Sequence, residues 1–130
     1  MLLPVTLTAA AAAAILAIWL SIRVGQVRGS EKVSIGDGGN EKVIRRMRAH
    51  ANFVENTPIV LILVAAIEMT GKGGNWLAYV VGLYMLGRIA HGLGMDDGRF
   101  GKGRMIGTLI TMLTLLGLAV VATLIPLQVI

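Results

Sequence analysis

No charged side chain occurs between Met1 and Ile22, and none follows Arg104 up to Ile130. An apolar run of about 20 residues is what a helix needs to cross a hydrocarbon layer roughly 30 Å thick. Backbone amides in lipid must be satisfied within the segment itself, so such runs fold as helices. The two ends of the chain are therefore predicted to be spans. The first covers Pro4 to about Val27, favoured by the helix-forming run Ala9 to Ala14, and the fourth opens at Arg104 and runs towards Ile130. A cleaved leader would carry basic residues ahead of its apolar core. Here the first charge, Arg23, comes after that core, so the first span is expected to stay in the mature protein.

The middle of the chain fits two more helices. Arg28 to Asn40 is rich in Gly, Ser and Asp and reads as a connector, with Asn40 as the N-cap of the next helix. A phosphate-cradling loop would need a Lys-Ser or Lys-Thr pair at that helix start, and Glu41-Lys42-Val43 does not supply it. The second helix is predicted from Glu41 to about Thr70, with Pro58 freeing the carbonyl of Val54 and bending the helix near Glu55. Gly71 to Asn75 is a turn, and the third helix runs from Trp76 to His91 or Gly94. With 130 residues, 55% hydrophobic and 15% charged, and a mean hydropathy of +0.77, the chain is an all-α membrane protein. Four spans nearly use up its length, so residues 1–130 form a single four-helix transmembrane domain.

Charge sets the orientation. Arg23, Arg28, Lys32, Lys42, Arg45, Arg46 and Arg48 flank the first connection, and Arg88, Arg99, Lys102 and Arg104 flank the third. Only Lys72 is in the second. The positive-inside tendency puts the basic end in the cytoplasm and both termini on the other side. The net charge of +5 lies in loops beside spans and the aromatic content is 5%, which argues for a membrane rim or a small acidic ligand and against nucleic acid. Cysteine is absent, so thiol chemistry would have to come from a substrate. Two histidines with no cysteine and no acidic partner at ligand spacing give no metal site.

Polarity in the second helix changes along its axis. At 100° per residue, Glu41, Arg45, Arg48, Asn52, Glu55, Ile59 and Ile62 share a stripe that begins charged and ends apolar. A charged group in hydrocarbon costs about 2.5 to 3.5 kcal/mol on insertion scales, so Glu55 and Arg88 must face protein, pair, or bind something. Arg28, Arg48, Asn52, Glu55, His91 and Arg104 together offer cationic forks for carboxylates, an amide for a peptide group and a carboxylate for an ammonium. That set suits a small zwitterionic peptide. If helices two and three are antiparallel about the turn, residues whose numbers sum to about 143 lie level, which places Glu55 at the depth of Arg88, Asn52 at that of His91 and Arg48 at that of Met95. A Glu55–Arg88 ion pair, within a subunit or across an interface, is the expectation.

The run Arg48-Ala49-His50-Ala51-Asn52-Phe53-Val54-Glu55-Asn56-Thr57-Pro58 resembles the Arg-Ala-His-x-Asn-x-x-Glu signature of the MAPEG family, the membrane-associated proteins in eicosanoid and glutathione metabolism. Gly36-Asp37-Gly38-Gly39 and Gly87-Arg88-Ile89-Ala90-His91 are similar to its short prokaryotic branch, which implies a bacterial inner membrane. The resemblance implies a homotrimer of four-helix subunits that binds glutathione between neighbours near the cytosolic side and conjugates it to a lipophilic electrophile. It implies ligand contacts by Arg28, Arg48, Asn52, Glu55 and His91, thiolate stabilisation by Arg104, and supporting positions for His50 and Arg88. Glutathione enters as co-substrate, and no metal is implied. Eicosanoid-making members have tyrosines where Asn56, His91 and Met95 stand here, and the loop before Arg104 is slightly longer, so a leukotriene-type substrate is not implied.

Two other functions fit a four-span chain: a proton-coupled transporter using an intramembrane Glu, and a noncatalytic scaffold. Several arginines beside Glu55 would hold its carboxylate ionised and repel cationic cargo, which weighs against the transporter.

Overall fold

A computed structural model describes residues 1–98 and 101–130. Arg99, counted above among the bases of the third connection, and Phe100 lie outside the described residues. Four helices follow in order: α1 Pro4–Glu31, α2 Glu41–Met69, α3 Gly74–Gly94 and α4 Lys102–Leu124. Each is long and apolar enough to cross a membrane, with mean hydropathies from 1.2 to 2.3. Large apolar side chains such as Ile15, Ile18, Leu109, Leu113 and Leu116 point outward, as expected where the solvent is lipid.

The element boundaries have local causes. Pro4 sits at the start of α1, where a missing amide hydrogen costs nothing. Gly29 and Ser30 do not end that helix, contrary to expectation: the Ser30 hydroxyl bonds back to the carbonyl of Val27 at 3.0 Å, and α1 continues until Lys32 turns left-handed at φ 58°. One extra turn therefore projects from the apolar span. The Asp37 carboxylate accepts from the amide of Gly39 at 2.8 Å and folds the connector. Asn40 caps α2 as expected, accepting from the Val43 amide at 3.2 Å, while its amide nitrogen donates to Glu31 at 3.1 Å. α2 then passes through Pro58 without a break. α4 ends at Leu124, short of Ile130, and residues 125–128 form a turn.

α3 is the most enclosed helix, half buried where the other three are 22 to 28% buried. Its inward face carries Leu77, Val81, Tyr84, Arg88 and His91. Facing it are Val60, Val64 and Ile67 of α2, Leu16 and Leu20 of α1, and Leu118 of α4. The closest helix pairs are α3 with α4 and α1 with α2. In the first pair glycine is the reason. A Cβ on Gly94 would run into the backbone of Arg104, one on Gly103 would lie 2.5 Å from the carbonyl oxygen of Ala90, and one on Gly107 would run into His91. Without side chains there, the two backbones touch, the small-residue packing that membrane helices favour.

At the end opposite the basic loops a single carboxylate closes the bundle. Glu68, in the last turn of α2, accepts from the amides of Val5 and Thr6 at 2.9 and 2.8 Å and from the Thr6 hydroxyl at 2.7 Å. It caps α1 from another helix, supplying the acceptor that Leu3 cannot and placing negative charge at the positive end of the helix dipole.

Candidate functional site

The bases at the α1/α2 and α3/α4 end fall into two groups. The first is committed to structure. Asp96, just beyond α3, is held by Arg23 of α1 and by Arg46 of α2 at 3.3 Å, and Arg46 also donates to the carbonyl of Arg23 at 3.0 Å. The Arg23 guanidinium stacks over Trp19, 5.1 Å from the ring centre. Arg45 donates to the carbonyl of Gly98 at 2.7 Å and to Glu41 at 2.6 Å. Arg28 donates to the Gly36 carbonyl at 3.0 Å and approaches the sulfur of Met47 at 3.7 Å, so it shapes the first connector. Asp96 was not among the candidates from sequence. Two acidic residues at 96 and 97 after a helix end read as an ordinary polar loop, and only the fold brings Arg23 and Arg46 to them.

The second group is uncommitted. Arg48 and Glu55 are exposed on α2 and Asn52 is half-buried between them, at spacings of four and three residues that align them on one face. Among the described residues the side chains of Arg48, Asn52 and Glu55 make no hydrogen bond or ion pair within the chain. The one contact nearby is from Asn56, whose side-chain nitrogen donates to the backbone carbonyl of Asn52 at 2.8 Å. His50, on another side of α2, lies 3.5 Å from the Ser21 hydroxyl and so faces α1.

Arg88 and His91 are elsewhere, inside the α3/α4 seam, at 2% and 3% exposure. Arg88 donates to the Thr111 hydroxyl at 2.9 Å, and its other terminal nitrogen lies 3.5 Å from Nδ1 of His91. Its Nε has no partner among the described residues. One turn away, the Tyr84 and Thr57 hydroxyls are 2.9 Å apart. The expected Glu55–Arg88 ion pair is therefore not made within the subunit. The expected depth is correct: Arg45 meets Gly98 and Thr57 meets Tyr84, close to the antiparallel register derived from sequence. The azimuth is what differs. Arg88 turns inward to α4, where Thr111 accepts from it in the room left by the glycines, whereas Glu55 is exposed on the outer face of α2.

Arg104, exposed in the first turn of α4, has its backbone against Gly94, one helical turn beyond His91. The chain thus brings His91, Arg88 and Arg104 together at the top of the α3/α4 seam, and Arg48, Asn52 and Glu55 together on the open face of α2. Arg28 joins neither cluster directly. Chemically, the α2 face can pair with an anion at Arg48, a peptide amide at Asn52 and a cation at Glu55. No group of three metal-ligating side chains occurs among the described residues.

Comparison with known proteins bears on what such a face is for. The sequence pattern of the MAPEG family matches residues 6–124. The chain is also similar to inner membrane protein YecN of Escherichia coli strain K12, 33% identical over 88 residues, which is 67% of this chain and 66% of the relative. The same protein from Escherichia coli O6:H1 matches equally. No solved structure matches the chain.

Proposed function

The chain belongs to the MAPEG family, and from that premise we propose that it is a glutathione-binding protein of the bacterial inner membrane, a transferase that conjugates glutathione to a lipophilic electrophile. The observation that carries this reading is the α2 face of Arg48, Asn52 and Glu55, whose side chains find no partner among the described residues. Counting 1.5 Å per residue, Glu55 lies roughly 22 Å from the turn at Thr70, still within a hydrocarbon core of roughly 30 Å. A carboxylate at that depth facing lipid is costly, so the face must be covered. A homotrimer covers it with neighbouring subunits, and glutathione between them satisfies it: Arg48 on a carboxylate, Asn52 on a peptide group, Glu55 on the ammonium. Arg28 closes the basic rim of the site. His91 reaches the ligand only by opening out of its seam towards Arg104, and His50 and Arg88 support from behind. The name of the relative supports the inner-membrane assignment, and the base count supports a cytoplasmic basic end with both termini opposite.

Catalysis in this reading is positioning plus thiolate stabilisation. Arg104 favours the anionic sulfur, lowering a thiol pKa from its usual value of about 8.5. The thiolate then forms a carbon–sulfur bond to an electrophile arriving from the lipid, and the displaced group or a proton from water completes the balance. The test is a pH titration of thiolate absorbance with glutathione bound. The unaltered protein should give a midpoint well below 8.5 and Arg104→Leu one close to it; superimposable curves would refute the role of Arg104.

A further inference from the structure

The α3/α4 seam is closed at the basic end by glycines in backbone contact, but it opens towards the other end. A Cβ added to Gly117 would meet nothing within 4 Å. Between the diverging helices lies a groove of about 320 Å³, walled by Trp76, Val80 and Leu83 of α3 and Leu113, Gly117 and Val121 of α4. A second hollow of about 300 Å³ shares Trp76 and Val121 with it and brings in Lys72. The groove thus runs from the middle of the bundle to a mouth beside Lys72. This is the only basic residue in the connection at that end, and the indole of Trp76 donates to its backbone carbonyl at 2.9 Å.

We propose that this groove is a binding site for an anionic phospholipid, one acyl chain lying along α4 and the phosphate at Lys72. Length argues for it. Ile110 to Val121 is roughly 16 Å of helix at 1.5 Å per residue, and half of a hydrocarbon core of roughly 30 Å is one leaflet. The groove therefore has the depth of a single acyl chain entering from the Lys72 side. Width argues against the other occupants. A helix of the same length and about 10 Å diameter fills roughly 1,200 Å³, far more than the space available, so a second copy of the chain could insert only side chains. Charge fixes the headgroup. Lys72 has no acidic side chain among the residues lining the mouth, and a lysine at the membrane surface attracts an anionic lipid. Trp76 stands where an indole is favoured, with its ring against the acyl chain and its N–H at the polar level.

The site is distinct from the α2 face proposed for glutathione, and its test is independent of glutathione binding. The chain holds two tryptophans, so Trp19→Phe leaves Trp76 alone as a fluorophore in the groove. With the protein in vesicles, phosphatidylglycerol brominated on its acyl chains should quench Trp76 with about fivefold higher relative affinity than brominated phosphatidylcholine. That preference should fall to one in Lys72→Gln, which removes the headgroup contact, and in Gly117→Leu, which fills the groove from a position with open space. Equal quenching by both lipids in the Trp19→Phe protein overturns the proposal; it is the result expected if bulk lipid, a second copy or the lipophilic substrate occupies the groove. Should Trp19→Phe fail to fold, native mass spectrometry of the unaltered chain decides the question. Retention of phosphatidylglycerol over phosphatidylcholine that disappears in Lys72→Gln upholds the site, and equal retention overturns it.

Discussion

At the basic end of the α3/α4 seam Gly94, Gly103 and Gly107 hold two backbones in contact, whereas towards the other end Gly117 looks into open space. On α4 itself, Gly107 and Gly117 thus do opposite work. Where glycines close the seam, Arg88 and His91 are locked in the interior and Arg104 is pinned at the head of α4. Where the seam opens, the facing side chains are apolar apart from Thr114. Charge follows the same division. At the far end Glu68 is fully engaged with the start of α1. At the basic end Asp96 is shared by Arg23 and Arg46, yet Arg48, Asn52 and Glu55 have no side-chain partner among the described residues. The proposed binding surface rests on this contrast between the engaged Glu68 and the three aligned side chains of α2.

One chemical change made at both ends of the seam should have opposite effects. Gly107→Ala drives a Cβ into His91 and the carbonyl oxygen of Gly87, and overpacking against backbone should cost about 3 kcal/mol or more. Gly117→Ala adds the same methyl group to open space and should stabilise by roughly 0.5 to 1 kcal/mol through backbone entropy. Denaturant unfolding in detergent measures both, and two shifts of the same sign would remove the distinction.

A smaller effect is expected from Thr111→Val, which leaves a buried guanidinium nitrogen of Arg88 without its acceptor. The loss should be about 1 to 3 kcal/mol, and Thr108→Val, on an exposed position one turn earlier, should stay within roughly 0.5 kcal/mol. Smaller still is Asp96→Asn, which releases Arg23 and Arg46 at the partly exposed rim. It should cost no more than about 1 kcal/mol and the difference should shrink as salt is raised. A large, salt-independent loss would mean that this cluster, and not the glycine seam, holds the basic end together.

Much of this arrangement is legible in the sequence, and the limits have a physical pattern. Span number and order follow from charge-free length. The Asn40 cap follows from local chemistry, and the antiparallel register of α2 and α3 follows from counting back from the turn. Each of these depends on neighbours in the chain or on helix rise. What sequence did not show depends on rotation about a helix axis. The depth of Arg88 is set by its number, but whether it faces Glu55 or Thr111 is set by the glycines that draw α4 close. Gly103-x-x-x-Gly107-x-x-x-Thr111 is a small-residue pattern that signals such a seam. Glu68 is harder: its partners Val5 and Thr6 are more than sixty residues away, and a carboxylate at a helix end beside a glycine turn reads as a solvated side chain until the fold brings α1 to it.

Glutathione binding at the open α2 face remains the proposal on which the proposed activity depends. Thermal unfolding of the intact protein titrated with glutathione tests it most directly, because a ligand that binds only the native state raises apparent stability in proportion to its affinity. The midpoint should rise with glutathione in the unaltered protein and in Lys72→Ala, whose change lies at the far end, and the rise should be largely lost in Arg48→Ala. A midpoint in the unaltered protein that does not move, or an equal rise in Arg48→Ala, would contradict the account.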